Sequence, residues 1–230
     1  MGAQGSDKSS SEVTPRSTLN APRSTAPKSI VPMTVTPIIL SGRWVRLEPP
    51  AAEHAQGLFK AGGRDEDIWR YMLDGPMKTV AEMQEWIQAA LGRQETGMDL
   101  PFCVIDRASG RPAGSTRYMN IAPQDRGLEI GSTWYARVHQ RTVANTECKY
   151  LLLRHAFETL GCIRVQLKTD SRNLRSQAAI ERLGAVQEGV LRKHMVVKGD
   201  QRDTVMYSIL DREWPAIKSK LEGRLYRNNG

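Results

Sequence analysis

The stretch from Leu128 to Thr169 constrains this chain more than any other part of it. Leu128–Tyr135 reads as a strand and residues 144–160 as a long helix. Ile163–Thr169 then alternates strictly, with Ile163, Val165 and Leu167 on one face and Arg164, Gln166 and Lys168 on the other, the pattern of a half-buried strand. A strand, one helix and a second strand make a parallel crossover, which sterics force to be right-handed. The helix carries Cys148, Leu151, Leu152, Ala156 and Leu160 on one side and Tyr150, Leu153 and Phe157 on another. A helix apolar on two sides packs between layers rather than on a surface.

Turns join several of the other strands, and the rest of the sheet is expected to be antiparallel. Trp44–Leu47 alternates and stops at Pro49-Pro50; Phe102–Asp106 and Ala113–Ile121 are separated by Ala108-Ser109-Gly110-Arg111-Pro112; a hairpin turns at Lys198-Gly199-Asp200-Gln201. Helical spacing covers residues 51–61, 79–91, 173–183 and 212–225. Thr79 with Glu82 makes a capping box, and Asn173 and Gly184 are start and stop signals for the third of these. The expected fold is α/β (α+β): a mixed, mostly antiparallel sheet of about seven strands with a central parallel pair, flanked by helices, over residues 39–226.

Residues 1–38 read as a disordered arm, since Ser, Thr and Pro fill 17 of the 38 positions and no aromatic is present. Met1-Gly2-Ala3-Gln4-Gly5-Ser6 fits the myristoylation pattern, and a membrane is a partner only if Gly2 is acylated. The Ser-rich arm with Arg16 and Arg23 also fits an organelle leader, against Asp7 and Glu12; a plain extension is the simplest reading. Cys103, Cys148 and Cys162 form no C-x-x-C pair, and the four histidines show no ligand spacing, so neither a disulfide framework nor a metal is expected and the cytoplasm is the default location. The formal charge is +8, and residues 137–202 hold most of the excess, with thirteen basic against six acidic side chains. Such a stretch favours a polyanion. Nucleic acid is disfavoured, because the basic segment lacks the interleaved aromatics of strand-based RNA readers.

The chemistry concentrates where the central helix begins. Gln140-Arg141-Thr142-Val143-Ala144-Asn145-Thr146-Glu147 joins strand to helix, and a helix N-terminus offers unpaired N–H groups and the positive end of its dipole to an anion. Arg137 and Arg141 add charge beside it. Glu129 lies on the strand face opposite Leu128 and Ile130 and is expected to face a cleft or solvent.

Leu128-Glu129-Ile130-Gly131, the Gln140–Glu147 segment, and Asn173-x-x-Ser176 followed by Leu183-Gly184-Ala185 together resemble the GNAT superfamily of N-acetyltransferases, nearest to its ribosomal-protein-alanine acetyltransferase branch. The resemblance covers residues 39–210. It implies acetyl-CoA as co-substrate and transfer of acetyl to a primary amine, on a peptide N-terminus or a small molecule, by direct attack in a ternary complex. It also implies that strands 128–135 and 163–169 splay, with pantetheine between them against Thr133, Tyr135 and Val138. The family's phosphate loop, Q/R-x-x-G-x-G/A, matches at Gln140 and departs at Val143 and Asn145; Arg141, Thr142 and Ala144 complete the loop here. Asn173 is similar to the family's cofactor-contacting asparagine. The resemblance makes Glu129 the candidate base and Ser176 the candidate acid, and sets Trp69 and Tyr71 in the acceptor pocket. The alternative is a non-catalytic relative whose altered loop binds coenzyme A weakly. Both monomer and homodimer fit the sequence.

Overall fold

The computed structural model describes residues 32–226; Gly2 and the greater part of the arm lie outside the described residues. The elements are β1 (Leu40–Ser41), β2 (Val45–Glu48), α1 (His54–Leu58), α2 (Glu66–Trp69), α3 (Val80–Glu95), β3 (Leu100–Asp106), β4 (Arg111–Ala122), β5 (Gly127–Tyr135), α4 (Val143–Arg154), β6 (Arg164–Asp170), α5 (Leu174–Leu183), β7 (Val186–Val197), β8 (Asp200–Leu210) and α6 (Trp214–Tyr226). They build one eight-stranded sheet in the order β1-β2-β3-β4-β5-β6-β8-β7. All neighbours are antiparallel except β5 and β6. The strand beyond the expected seven is β1, two residues long and without a periodicity of its own. Packing starts before residue 39: Met33 is buried, and its N–H donates to the Pro123 carbonyl.

The start signals act as their chemistry requires. Thr79 Oγ1 accepts from the Glu82 N–H at 3.1 Å, and Asn173 Oδ1 accepts from the Ser176 N–H at 3.1 Å. Gly184 takes φ +104° at the end of α5, a left-handed turn that favours glycine. At the hairpin tip Lys198 and Gly199 are both left-handed, as a two-residue turn between right-twisted strands demands. Helix α4 is buried on two sides, as its sequence implies, and runs on through a π-helical turn over His155–Thr159.

Apolar side chains form a core on each side of the sheet. One joins Leu128, Ile130, Tyr135, Val165, Leu167 and Tyr207 to α4, α5 and α6; the other joins Cys103, Ile105 and Trp134 to α1, α2 and α3. A bulge in β5 allows both. Ser132 sits at φ +47°, and Ser132 with Thr133 opposes Thr116 alone. The extra residue inverts the alternation, so Ile130 and Tyr135 share the α4 side although they stand an odd five positions apart.

The parallel pair is short. Gly127, Leu128 and Glu129 pair with Arg164, Val165 and Gln166, and there the ladder stops. Strand β5 continues to Tyr135 along β4, and β6 continues to Asp170 along β8. The two strands therefore part, leaving the facing edges of Ile130–Tyr135 and Leu167–Asp170 without a strand partner.

Candidate active site

The parted strands open toward the start of α4. Residues Arg137–His139 form a 3-10 turn, Gln140 is extended, Arg141 takes φ +61°, and Thr142 caps the helix. Thr142 Oγ1 accepts from the Ala144 N–H at 3.2 Å and donates to the His139 carbonyl at 2.8 Å. The left-handed residue of this loop is thus Arg141, not Val143. Val143 is the first residue of a regular helix and is 40% exposed. Asn145 follows in the first turn, half-buried. Val138 is 78% exposed and lines an adjoining open hollow of about 1330 Å³, with Phe59 and Arg64, that shares Asp67 and Arg137 with the smaller cleft beside it.

Beside the loop lies a cleft of about 400 Å³ that gathers Gln140, Asn173 and Tyr71 from distant parts of the chain, with Arg137, Arg172 and Arg175. Gln140 ties its walls together: Nε2 donates to the Tyr135 carbonyl at 3.0 Å, and Oε1 accepts from Arg175 at 3.1 Å. Arg137 holds Asp65 and Asp67 of the α2 turn, keeping the Asp65 carboxyl below its ordinary range. The Tyr71 hydroxyl donates to the Arg172 carbonyl at 3.4 Å, and Arg172 grips Asp170 at 3.0 and 2.8 Å.

Glu129 does not face solvent. Its side chain points away from the α4 core, as the alternation demands, but it is 2% exposed. Asn120 Nδ2 donates to it at 2.9 Å and Gln166 Nε2 at 3.2 Å, while Lys168 Nζ lies 3.1 Å away. The motif glycine has a local reason: a Cβ at Gly131 would come within 3.1 Å of Glu129 Oε1. The carboxylate sits at the level where the ladder ends, on the polar face of the parted strands.

On the other face, α4 aims Lys149 at the bulge. Lys149 is 7% exposed, and its ammonium donates to Thr133 Oγ1 at 2.8 Å; Thr133 also meets Thr116 Oγ1 at 2.8 Å. Burial pushes the Lys149 pKa down to about 8. The sign follows. Above about pH 8 the native lysine is neutral while the unfolded one stays charged to about 10.5, so stability rises with pH across that window. Lys149→Met is expected to exceed the native protein's stability by about 3 kcal/mol at pH 7, with the gap closing as pH approaches 10. Urea melts at both pH values check this; a gap that stays constant refutes it. Tyr135 is buried, with its hydroxyl against the Cys148 thiol. The Cys148 thiol is pushed up to about 12 by burial, which leaves it no thiolate for covalent catalysis.

One expectation changes. Trp69 belongs to the core, not to an acceptor pocket: it is fully buried, donates Nε1 to the Gly62 carbonyl at 2.8 Å, and packs on Trp86 and Trp134. Its two-residue neighbour Tyr71 does reach the cleft. The Ser176 main chain is engaged by the Asn173 cap; its side chain is half-buried on the first turn of α5 and is not among the residues lining the cleft. Sequence reasoning passed over Arg175, Lys149 and Arg202 because basic residues on a helix or strand look alike until burial separates them. No group of three or more His, Cys, Asp or Glu suited to a metal occurs among the described residues.

The comparisons agree with this geometry. Residues 45–186 match the family model described as an acetyltransferase (GNAT) domain. A GCN5-related N-acetyltransferase from Brucella melitensis is 36% identical, with a TM-score of 0.81 over 86% of this chain and 90% of that one. YdaF of Bacillus subtilis strain 168, named as a ribosomal N-acetyltransferase, is 34% identical over 47% of this chain; the match spans 59% of that protein's length. RimL, a ribosomal L7/L12 acetyltransferase solved with coenzyme A, shares the fold at 19% identity and a TM-score of 0.66, over 75% of this chain and 98% of its own. A sheet that splays beside a helix start, in a chain so matched, identifies it: this protein belongs to the GNAT family of acetyltransferases and is an acetyl-CoA-dependent acyltransferase.

Proposed function

We propose that the protein transfers acetyl from acetyl-CoA to a primary amine, on a protein N-terminus or a small molecule, by direct attack in a ternary complex in the cytoplasm. The observation that carries this reading is the parting of β5 and β6 beyond Glu129 and Gln166. It leaves two strand edges unpaired beside a helix start and a cleft with Arg137, Arg172 and Arg175 on its walls. Unpaired edges accept an extended chain of amides, and amides with arginines accept a diphosphate.

Acetyl-CoA, when bound, supplies an activated acyl group on a good leaving thiol. This chain's own residues would bind and orient. Arg141 and the free N–H groups at the start of α4 would hold phosphate, with the Thr142 cap fixing the turn. The open edge of β5 near Thr133 would position the pantetheine. Glu129 would take the proton of the attacking amine, either directly or through a water, since Asn120 and Gln166 hold its carboxylate in place. Ser176, a turn into α5 from Asn173, would donate toward the departing sulfur. The names borne by YdaF and RimL support a ribosomal-protein N-terminus as one acceptor class.

Calorimetric titration with acetyl-CoA, followed by labelled-acetyl transfer to N-terminal peptides, polyamines and aminoglycosides, tests the reading. Binding with turnover of one class is expected. No heat and no thermal stabilisation at high micromolar acetyl-CoA would favour a non-catalytic relative instead.

A further inference from the structure

The polar face around Glu129 and the end of β6 holds three cations and two carboxylates. Lys168 is taken by Glu129 and Arg172 by Asp170. The surplus charge is Arg202 on β8. Its side chain is 5% exposed, it makes no hydrogen bond within the described residues, and its Nε is buried without a partner. The Thr204 hydroxyl, two residues further on the same face, is likewise buried and unpaired. A guanidinium presents five N–H donors in a planar fork, and here its Nε–H is held out of water without an acceptor, which is unfavourable. Two such groups side by side mark a place built for something the protein itself does not supply.

The position fits the acceptor side. Thr204 pairs with Asp170 in register, so Arg202 lies just past the end of β6. Asp170, Glu129 and Arg172 are all near enough for their charges to act on it. Tyr71, the candidate acceptor-site residue, meets Arg172 by donating its hydroxyl to that residue's carbonyl. Lys198 Nζ, at the tip of the β7–β8 hairpin, donates to the Trp69 carbonyl at 2.7 Å and draws that hairpin against the segment that carries Tyr71. The candidate base and the guanidinium therefore share the sheet face away from α4, near enough for their charges to interact.

We propose that Arg202 is an anion seat in the acceptor site, and that the acceptor amine carries a carboxylate a few bonds from the reacting nitrogen. The proposal rests on the acetyl-transfer reading above and deepens it by naming the acceptor class. The seat holds the carboxylate through the guanidinium fork, with Thr204 Oγ1 as a further donor, and the amine is thereby carried toward Glu129. Binding is the whole of its role; no proton or acyl group moves at Arg202.

The test uses the full chain saturated with coenzyme A for binding, and acetyl-CoA with thiol release for turnover. Two matched pairs serve as probes: a Ser-Asp N-terminal peptide against its Ser-Asn counterpart, and β-alanine against β-alaninamide. In at least one pair the carboxylate member is expected to bind, or to turn over in kcat/KM, about tenfold better, the scale of a charge-assisted hydrogen bond. Arg202→Gln is expected to bring that ratio near one with coenzyme A affinity unchanged, and Arg202→Lys to keep part of it. If neither carboxylate member surpasses its amide in the native protein, in binding or in turnover, the proposal is overturned, and this comparison decides even if a variant fails to fold. A preference that survives Arg202→Gln in a folded protein also overturns it, and makes Arg202 a static counter-charge. Failure to bind acetyl-CoA at all sinks the underlying reading instead, and the peptide titrations still report on the seat.

Discussion

Replacing Glu147 by alanine is expected to remove about 3–5 kcal/mol of stability, a large share of the 5–15 kcal/mol that folded domains typically hold. Glu147 is fully buried on α4. It accepts three backbone N–H donors from the β1–β2 turn: Arg43 at 2.6 Å, Trp44 at 2.7 Å and Val45 at 2.8 Å. One carboxylate thus fastens the sheet edge to the central helix across about a hundred residues of sequence. Its loss leaves three donors without an acceptor. The effect should register as a lower urea midpoint, and a loss below about 1 kcal/mol would show that water replaces the carboxylate readily. The same contact explains Gly42. A Cβ there would stand 2.3 Å from Glu147 Cδ, so Gly42→Ala is expected to destabilise by pushing the carboxylate off its donors, with little added effect once Glu147 is gone. A double-mutant cycle measures that coupling.

Glu129→Gln is expected to slow acetyl transfer by about 10²–10³-fold, the ordinary weight of a positioned general base, while acetyl-CoA affinity stays within about twofold. The amide is nearly isosteric with the carboxylate but cannot take a proton. It also withdraws the partner of Lys168, 3.1 Å away, so some loss of stability accompanies the kinetic effect. Comparing kcat with the melting temperature separates the two. Were turnover to survive intact in a folded Glu129→Gln, the base would lie elsewhere, and the carboxylate would be the counter-charge for Lys168 and Arg202. Gly131→Ala is a milder probe of the same carboxylate, since its Cβ would crowd both Glu129 Oε1 and the flexible Met119 sulfur.

The patterns local in sequence were legible. Periodicity along Leu128–Thr169 depends on which face of a strand or helix meets apolar neighbours, and that is written in residue order. Caps at Thr79, Asn173 and Gly184 depend on the few residues beside them. The order of strands, one crossover among turns, fixed where parallel pairing falls, and the motifs on those elements carried the family. The same reasoning went astray where a residue's environment comes from chain far away. Trp69 stood in a loop-like stretch, and only Trp86 and Trp134, from α3 and β5, make it core. Glu129 was on the expected face, but Asn120, Gln166 and Lys168 close over it. The left-handed residue before α4 is Arg141, which nothing beside it in the sequence announces.

By itself, then, the sequence determined the element types, the one parallel crossover and the kind of chemistry, because each follows from spacing between near neighbours. Tertiary structure alone decided the bulge that inverts β5, the level at which β5 and β6 part, and which charges lose their water. Burial and partnership are properties of surfaces brought together from distant positions. Lys149 and Arg202 differ from the exposed basic residues around them in nothing that a sequence displays.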